Sequence, residues 1–180
     1  VLTGGSGSGK SFYEKLLNVN GFEKFISHTT REARVKDNEK DGVDYYFVTK
    51  EEFKNNKMLE TTIVKDNFYG LSLNEYLSKN NNCVVVVDPN GTKQLIDKIG
   101  KENLVTILLD IDLEERKQNM LDRGDTIEAI EKRLLNEDFV NDYYNLGLKP
   151  DILIQERLDD PKILLDKIND FLNIKIDIER

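Results

Sequence analysis

The stretch that decides the fold of this chain is Gly4-Gly5-Ser6-Gly7-Ser8-Gly9-Lys10-Ser11. It fits the pattern of a glycine, four further residues and Gly-Lys-Ser, which is the phosphate-binding loop of proteins that use nucleotides. The residues before it read as the end of a strand, and the residues after it place Phe12, Leu16 and Leu17 on one face of a helix. Strand, loop and helix are the context that the motif requires, whereas the alternative, a flexible Gly/Ser linker, does not require them.

Each residue type of the loop has an expected part in binding phosphates and Mg²⁺. Glycines tolerate positive φ and let backbone N–H groups surround a phosphate, and the following helix offers its positive N-terminal end. Lys10 adds a mobile positive charge for the β- and γ-phosphates, and Ser11 offers a hydroxyl to a Mg²⁺ ion. The predicted phosphate-binding residues of the loop are Gly4, Ser6, Gly7, Ser8, Gly9, Lys10 and Ser11.

The composition is typical of a soluble globular protein, and a cytosolic enzyme is the default interpretation. The chain has 180 residues, of which 38% are hydrophobic and 33% are charged, and its net charge is −8. Nucleic acid polymers are disfavoured as partners, because proteins that bind them normally present a basic face. No apolar run approaches the ~20 residues of a membrane span, and no secretory signal is visible, so we expect a cytoplasmic protein without a membrane partner. Cys83 is the single cysteine, so it cannot form an internal disulfide. One cysteine and one histidine are too few ligands for a zinc site.

Strands that alternate with helices predict a parallel sheet that is covered on both faces by helices. The most apolar strand is predicted at Cys83-Val84-Val85-Val86-Val87. It ends at Asp88, and Pro89 can begin the helix that follows. The other predicted elements of the core are strands at 25–27, 104–109 and 152–154 and a helix at 161–172.

Helix caps organise the segments between these strands. The predicted N-caps are Thr49, Ser72, Asp112 and Asp125. A glutamate three residues later completes a capping box at Thr49 and at Ser72. Asp125 is predicted to begin a long helix that reaches Tyr143-Tyr144, and a turn or strand end is predicted at 67–70. The short β-rich elements of the middle region indicate a small lobe inserted into an α/β core.

Three segments are expected to meet at one edge of the sheet, because ligands of open α/β sheets bind beyond the carboxyl ends of the strands. They are the phosphate loop, Asp88 and the segment 27–34, each of which follows a strand. In that segment Arg31 and Arg34 can each fork onto a phosphate, although a solvated surface pair is the commoner outcome for two lone arginines. Ser-His-Asp catalysis is disfavoured, because His28 is the single histidine and no Gly-x-Ser-x-Gly elbow is suitably placed.

Several motifs form one combination. They are Ser27-His28-Thr29-Thr30-Arg31, Arg34, Asp41-Gly42-Val43-Asp44-Tyr45-Tyr46-Phe47-Val48, the helix at 49–53, Leu59-Glu60, Phe68-Tyr69-Gly70, Arg123-Gly124 and Arg133-Leu134. Together with the phosphate loop they resemble the guanylate kinase family over nearly the whole chain. By spacing alone, Arg123 and Arg133 are equally well explained as surface salt-bridge partners; the resemblance compares them with the arginines of the family's lid.

The resemblance implies both a fold and a reaction. The fold is α/β, with a P-loop kinase core of parallel sheet and helices on both faces, an inserted small β-rich GMP-binding lobe and a helical lid. On this chain the core corresponds to about 1–26, 83–112 and 146–180, the lobe to about 27–82 and the lid to about 113–145. The reaction is Mg²⁺-dependent transfer of the ATP γ-phosphoryl group to GMP or dGMP, and we expect a monomer or homodimer.

The resemblance also implies roles for single residues. Ser27 and Glu60 would read the guanine edge, since a carboxylate can accept from guanine N1–H and N2–H₂, which adenine cannot supply. Asp88 would lie near the acceptor or the Mg²⁺ water shell, and Arg123 and Arg133 would close onto the ATP phosphates. The implied catalytic residues are Lys10, Arg31, Asp88, Arg123 and Arg133, with Ser11 at the metal. The implied substrate-binding residues are Ser27, Arg31, Arg34, Glu39, Tyr45, Glu60, Tyr69, Ser72 and Asp88.

Some positions depart from the family's pattern. Gly5 stands where the family usually has a proline. The spacing from Arg34 to Gly42 is longer than usual, so the acidic residue of this loop is Glu39 or Asp37, and counting back from Gly42 favours Glu39. The other departures are Leu71 for a threonine, Val86 for an aspartate, Asn119 for the first lid arginine, and Gln155 or Glu156 for an asparagine that contacts adenine.

Three alternative functions stay open. A kinase of the same fold with another base preference is compatible with Leu71 and with the single carboxylate at Asp88. A guanylate-kinase-like protein-interaction module generally loses the phosphate loop, whereas this chain keeps Lys10 and Ser11. A regulatory GTPase is weaker still, because no Asn-Lys-x-Asp guanine-reading motif is recognisable.

Overall fold

The structure is a computed structural model that describes residues 1–35, 38–135, 137–158, 160 and 162–178. Its strands are β1 (Leu2–Gly4), β2 (Glu23–Lys24), β3 (His28–Thr29), β4 (Tyr46–Phe47), β5 (Met58–Val64), β6 (Asn67–Ser72), β7 (Cys83–Val84), β8 (Ile107–Leu109) and β9 (Ile152–Ile154). Its α-helices are α1 (Lys10–Val19), α2 (Lys50–Asn55), α3 (Leu73–Leu77), α4 (Pro89–Ile99), α5 (Leu113–Asp122), α6 (Ile127–Leu134), α7 (Phe139–Asn145) and α8 (Lys162–Ile178). No helix within these ranges is long and apolar enough to cross a membrane.

Five parallel strands make the core sheet, in two hydrogen-bonded groups of three and two strands. β1 pairs with β8 and β8 with β9, while β2 pairs with β7. Leu2 joins the two groups, because its N–H donates to Val85 O at 2.8 Å and its carbonyl oxygen accepts from Val87 N at 3.1 Å. The strand order is therefore β2-β7-β1-β8-β9. Since the strands run the same way, Gly4 and Asp88 lie at the same edge of the sheet.

Buried apolar side chains cover both faces of this sheet. On one face, Leu17 of α1 and Leu164 of α8 belong to a buried cluster that includes Leu2. On the other face, Leu95 of α4 packs in a second cluster with Val87. Full burial of one such leucine contributes about 1.5–3 kcal/mol. The predicted α/β fold, with helices on both faces of a parallel sheet, is confirmed.

A second sheet of four strands, in the order β4-β3-β6-β5, forms the small lobe. β5 and β6 pair antiparallel, and the turn between them has positive φ at both Lys65 and Asp66, as type I′ hairpin turns require. Of the predicted turn or strand end at 67–70, the turn is wrong, because these residues lie within β6 and the turn is at Lys65 and Asp66. The capping box at Thr49 is confirmed: its hydroxyl accepts from Glu52 N at 3.1 Å, and Glu52 Oε2 accepts from Thr49 N at 2.7 Å.

The predicted strand at 25–27 is not formed: β2 ends at Lys24 and β3 begins at His28, and between them Ile26 N donates to a side chain instead of a neighbouring strand. Ile26 N donates to the Glu75 carboxylate at 3.0 Å, which also accepts from the Tyr46 hydroxyl at 3.2 Å. Ser72 caps α3 as predicted and accepts from Glu75 N at 3.1 Å. The Glu75 carboxylate is thus used for the core-to-lobe passage rather than for the second capping box.

Three helices, α5, α6 and α7, follow β8 and make up most of the chain before β9. Asp112 caps α5 as predicted and accepts from a backbone N–H two residues later at 2.8 Å. The predicted single helix from Asp125 is wrong: Thr126 caps α6, and α7 is separate. Asp125 is engaged elsewhere, because its carboxylate accepts from Arg123 Nε at 2.7 Å and from Arg133 at 2.9 Å.

Candidate active site

The phosphate loop connects β1 to α1 in a conformation that depends on its glycines. Gly7 and Gly9 have φ of 78° and 88°, and Gly9 is the N-cap of α1. These values are in the left-handed region, where a side chain is strained. The Lys10 ammonium folds back over the loop and donates to Gly4 O at 2.6 Å and to Gly5 O at 2.7 Å. Burial of the ammonium lowers the pKa of Lys10 to about 8, against a smaller raising effect of Glu137.

A carboxylate from the lid lies on this loop. Glu137, in the connection between α6 and α7, accepts from Ser6 N with both oxygens at 3.0 Å and from Ser6 Oγ at 2.8 Å. Arg116 of α5 forms an ion pair with Glu137, and its Nε donates to Ser6 O at 2.9 Å. Asn119 Nδ2 donates to Gly7 O at 2.9 Å. Sequence reasoning missed Arg116 and Glu137, although the three-residue spacing of Arg116 and Asn119 places both on one face of α5.

An open cleft of about 630 Å³ extends from the loop across the end of the core sheet to the small lobe. The predicted site residues that line it are Gly4, Lys10, Ser11, Ser27, Tyr45, Glu60, Tyr69 and Asp88. Glu137 and Phe139 close the lid side, and the Phe139 ring centre lies 6.0 Å from Lys10 Nζ. The cleft therefore brings the ammonium and the hydroxyl of the phosphate loop together with two carboxylates, those of Glu60 and Asp88, and with two tyrosines.

Glu60 is the most buried acid of the cleft, with 4% of its surface exposed. Leu71 N donates to Glu60 Oε1 at 2.8 Å and fixes the plane of the carboxylate. The pKa of Glu60 is raised to about 7, mainly by burial; the hydrogen bond from Leu71 N opposes this shift, and the nearby Asp88 contributes to it. At neutral pH this group exists in both protonation states, so a ligand that donates to it will favour the ionised state.

Asp88 stands between the two sheets. As the N-cap of α4 it accepts from Gly91 N at 2.6 Å with one oxygen. Its other oxygen accepts from the hydroxyl of Thr62, on β5, at 2.7 Å. Both oxygens are thereby oriented, so the carboxylate faces the cleft in one fixed arrangement.

Arg31 is held at the edge of the small lobe by three side chains. Its two terminal nitrogens donate to Glu39 at 2.8 and 2.9 Å, and its Nε donates to the Tyr69 hydroxyl at 3.2 Å. The guanidinium lies 5.6 Å from the centre of the Tyr45 ring. Glu39 also accepts from Arg34 N at 2.7 Å, and the hydrogen bond from Arg31 lowers the pKa of Glu39. The other candidate for the acidic position, Asp37, lies outside the described residues.

Several predicted site residues lie elsewhere in the described part of the chain. Ser72 is 1% exposed, and its hydroxyl is used as the cap of α3. Arg123 and Arg133 share Asp125 on the lid and do not line the cleft. Ser8 is buried within the loop, and its hydroxyl has no hydrogen-bond partner among the described residues. Arg34 is exposed and is absent from the lining of the cleft among the described residues.

The described residues contain no group of three or more His, Cys, Asp or Glu side chains that could hold a metal ion on their own. Mg²⁺ usually binds through few protein ligands together with substrate phosphates and waters. The Ser11 hydroxyl lines the cleft and is suited to that kind of site.

Comparison with known proteins agrees with this geometry. A family model described as guanylate kinase matches residues 1–143. The guanylate kinase of Enterococcus faecalis is 36% identical over 145 residues, which cover 74% of this chain and 70% of that protein. The guanylate kinase of Clostridioides difficile is 36% identical over 143 residues, which cover 74% and 68%. The crystal structure of guanylate kinase from Anaplasma phagocytophilum superposes with a TM-score of 0.62 at 26% identity, covering 97% of this chain and 85% of that chain.

Proposed function

Since this chain belongs to the guanylate kinase family, we propose that it transfers the γ-phosphoryl group of ATP to GMP or dGMP. The family makes it a phosphotransferase that acts on a nucleoside monophosphate. The choice of substrates rests on one observation: a single cleft is lined both by Lys10 and Ser11 of the phosphate loop and by Glu60 and Tyr69 of the small lobe. A donor nucleotide at one end and an acceptor nucleotide at the other would place two phosphates side by side.

ATP binds at the phosphate loop in this proposal. The loop already holds an anion, since the N–H and the hydroxyl of Ser6 both donate to the Glu137 carboxylate. The same kind of donor suits a phosphate oxygen, so the residues present fit the ligand. Lys10 supplies positive charge, and the hydroxyl of Ser11 holds Mg²⁺. When bound there, Mg²⁺ would supply positive charge that offsets the charge of the phosphates.

GMP binds between the sheets, with its base at Glu60. Guanine presents N1–H and N2–H₂ on its Watson–Crick edge, whereas adenine presents an acceptor at N1. The ionised Glu60 carboxylate, oriented by Leu71 N, can accept from both guanine donors. The hydroxyl of Ser72 is committed to its helix cap, so the choice of base rests on Glu60 with Ser27.

The phosphate of GMP lies against the tyrosines and arginines of the small lobe. Tyr45 and Tyr69 line the cleft, and Arg31 is joined to Tyr69 and stacks near Tyr45. Glu39 keeps the guanidinium of Arg31 in that position. With Arg34, these groups would hold the acceptor phosphate and aim its oxygen at the ATP γ-phosphorus.

Transfer itself needs positioning and charge neutralisation rather than a covalent enzyme intermediate. The acceptor oxygen needs no general base, because a phosphate monoester with a second pKa of about 6 is largely ionised at neutral pH. Asp88 orients the acceptor or the water shell of Mg²⁺ from the edge of the sheet. Arg123 and Arg133 would leave Asp125 and stabilise the charge that develops on the transferred group.

We assign these tasks to three parts of the chain. Residues 27–82 act as the GMP-binding lobe, residues 113–145 as the lid, and about 1–26, 83–112 and 146–180 as the core. Closure of lobe and lid over the core would exclude water and suppress ATP hydrolysis.

A panel of acceptors tests the proposal. ADP release from ATP and Mg²⁺ is measured with GMP, dGMP, AMP, CMP and UMP, beside a Lys10→Ala variant. Turnover that depends on Lys10 and is confined to GMP and dGMP is expected. Turnover with another base would keep the reaction and overturn the role of Glu60, and ATP binding without any turnover would point to an interaction module.

A further inference from the structure

An ion pair within the lid, between Arg116 and Glu137, contacts the phosphate loop at Ser6 and has no part in the proposed reaction. We infer that Arg116 is a further phosphate-binding residue of the ATP site, and that Glu137 occupies the place of the phosphate until ATP displaces it. This inference rests on the proposed use of ATP at the loop. It makes Arg116 and Glu137 act in opposite directions on ATP affinity.

The Glu137 carboxylate occupies a position whose hydrogen-bond donors would suit a phosphate. Three donors meet at this one carboxylate: Ser6 N at 3.0 Å, Ser6 Oγ at 2.8 Å and the guanidinium of Arg116. A backbone N–H, a hydroxyl and an arginine fork are the donors that proteins use for phosphate oxygens. The carboxylate contacts the loop at Ser6, so the three donors mark an anion position at that loop.

Arg116 contacts the loop independently of Glu137. Its Nε donates to Ser6 O at 2.9 Å, and its side chain is 11% exposed. Gly5 leaves room for it, because a Cβ atom at that position would collide with the guanidinium. One turn later Asn119 donates to Gly7 O at 2.9 Å, so α5 is tied to the loop at two points. Arg116 therefore stays beside the loop when its carboxylate partner leaves.

Glu137 is placed where it can leave. It lies between Leu134, the last residue of α6, and Phe139, the first residue of α7. Among the described residues, the backbone hydrogen bond that its displacement would break is the turn contact of Glu137 N with Leu134 O at 3.2 Å. Loops between helices are the parts of a fold that move at least cost.

Neutralising Glu137 and neutralising Arg116 should therefore change ATP affinity in opposite directions. Neutralising Glu137 removes the anion that competes with the phosphate, so ATP should bind more tightly. Neutralising Arg116 removes a phosphate donor and leaves the Glu137 carboxylate beside the loop, so ATP should bind more weakly. An ion pair that served the stability of the lid alone would shift ATP affinity in the same direction whichever partner was removed.

The test is calorimetric titration of ATP with Mg²⁺ into the full chain. The variants are Glu137→Gln, which keeps the shape of the side chain, and Arg116→Met, which keeps its apolar stem. Matched controls are Glu128→Gln, an exposed acid of α6, and Lys117→Met, the neighbour of Arg116 on α5. Thermal unfolding of each variant establishes that it is folded at the titration temperature.

We expect the dissociation constant of ATP to fall about tenfold in Glu137→Gln and to rise about tenfold or more in Arg116→Met, the range of one charge-assisted hydrogen bond. Arg116→Lys should recover part of the loss, and the controls should match the wild-type chain. Shifts of both variants in the same direction, or shifts no larger than those of the controls, would overturn the inference. A wild-type chain that binds ATP through Lys10 but phosphorylates no acceptor would remove the proposed reaction and leave these titrations decisive; no ATP binding at all would remove both.

Discussion

The hydroxyl of Thr62 donates to the carboxylate of Asp88 at 2.7 Å and so joins the sheet of the small lobe to the end of a core strand. The other oxygen of Asp88 is fixed by Gly91 N at 2.6 Å. Loss of either contact would let the carboxylate rotate in the cleft. The bond also means that the position of the acceptor lobe and the orientation of Asp88 are coupled.

Thr62→Val should therefore impair turnover more than folding. We expect a loss of about 1 kcal/mol in the free energy of unfolding, the usual net value of one hydrogen bond. We also expect a fall in kcat of about tenfold with GMP, because the misplaced carboxylate affects the transition state. Urea unfolding and steady-state kinetics measure the two quantities. Thr61→Val, whose side chain points to the other face of β5, is the control; equal kcat in both variants would refute the role of Thr62.

GMP binding should weaken as the pH falls. The pKa of Glu60 is raised to about 7 by burial, and only the ionised form can accept from both guanine donors. The ionised fraction falls about tenfold per pH unit below that pKa. We expect the dissociation constant of GMP to rise accordingly between pH 8 and pH 6. Glu60→Gln should show only the dependence due to the GMP phosphate itself, so identical pH profiles of wild type and variant would count against this interpretation.

ATP binding should take up protons at alkaline pH. Burial lowers the pKa of Lys10 to about 8, so part of the side chain is neutral at pH 8.5 before ATP binds. Triphosphate charge beside the amine raises its pKa, and the neutral fraction then takes up a proton. Calorimetry at pH 8.5 in two buffers with different ionisation enthalpies measures this uptake. Binding enthalpies that do not depend on the buffer would contradict it, and Lys10→Arg is the control without a titrating amine.

Arg31 should matter for GMP rather than for ATP. Its fork binds Glu39 with two nitrogens and Tyr69 with the third, a pattern that a lysine cannot reproduce. We expect Arg31→Lys to raise KM for GMP by about tenfold or more and to leave KM for ATP nearly unchanged. Lys54→Ala, an exposed change on α2, is the control. Equal effects on both substrates would place Arg31 outside the acceptor site.

Local sequence signals predicted those parts of the fold that local physics decides. The phosphate loop, the caps at Thr49 and Asp112 and the start of α4 at Pro89 depend on a few neighbouring residues, and they are as predicted. The motifs of the guanylate kinase family occur in order along the chain, so they indicate the family, and both the family and the α/β fold are confirmed. The roles assigned to single site residues stay predictions.

The remaining differences come from contacts between distant residues. The capping-box pattern predicts that Glu75 completes a helix cap, but its carboxylate accepts from the backbone N–H of Ile26, 49 residues away. Thr126 rather than Asp125 caps α6, because Asp125 is drawn to two arginines of the folded lid. Glu137 reaches Ser6 across 131 residues of sequence, and no pattern in its own neighbourhood indicates that contact.

In the proposed reaction this chain phosphorylates GMP and selects it through Glu60. The most direct measurement is kcat/KM for GMP and for AMP, with ATP and Mg²⁺, in the wild-type chain and in Glu60→Gln. We expect the wild type to prefer GMP by a factor on the order of 10³ or more, the scale of discrimination of a site built to pair with hydrogen-bond donors. We expect this preference largely to disappear in Glu60→Gln. Equal use of AMP and GMP by the wild type, or an undiminished preference in the variant, would contradict it.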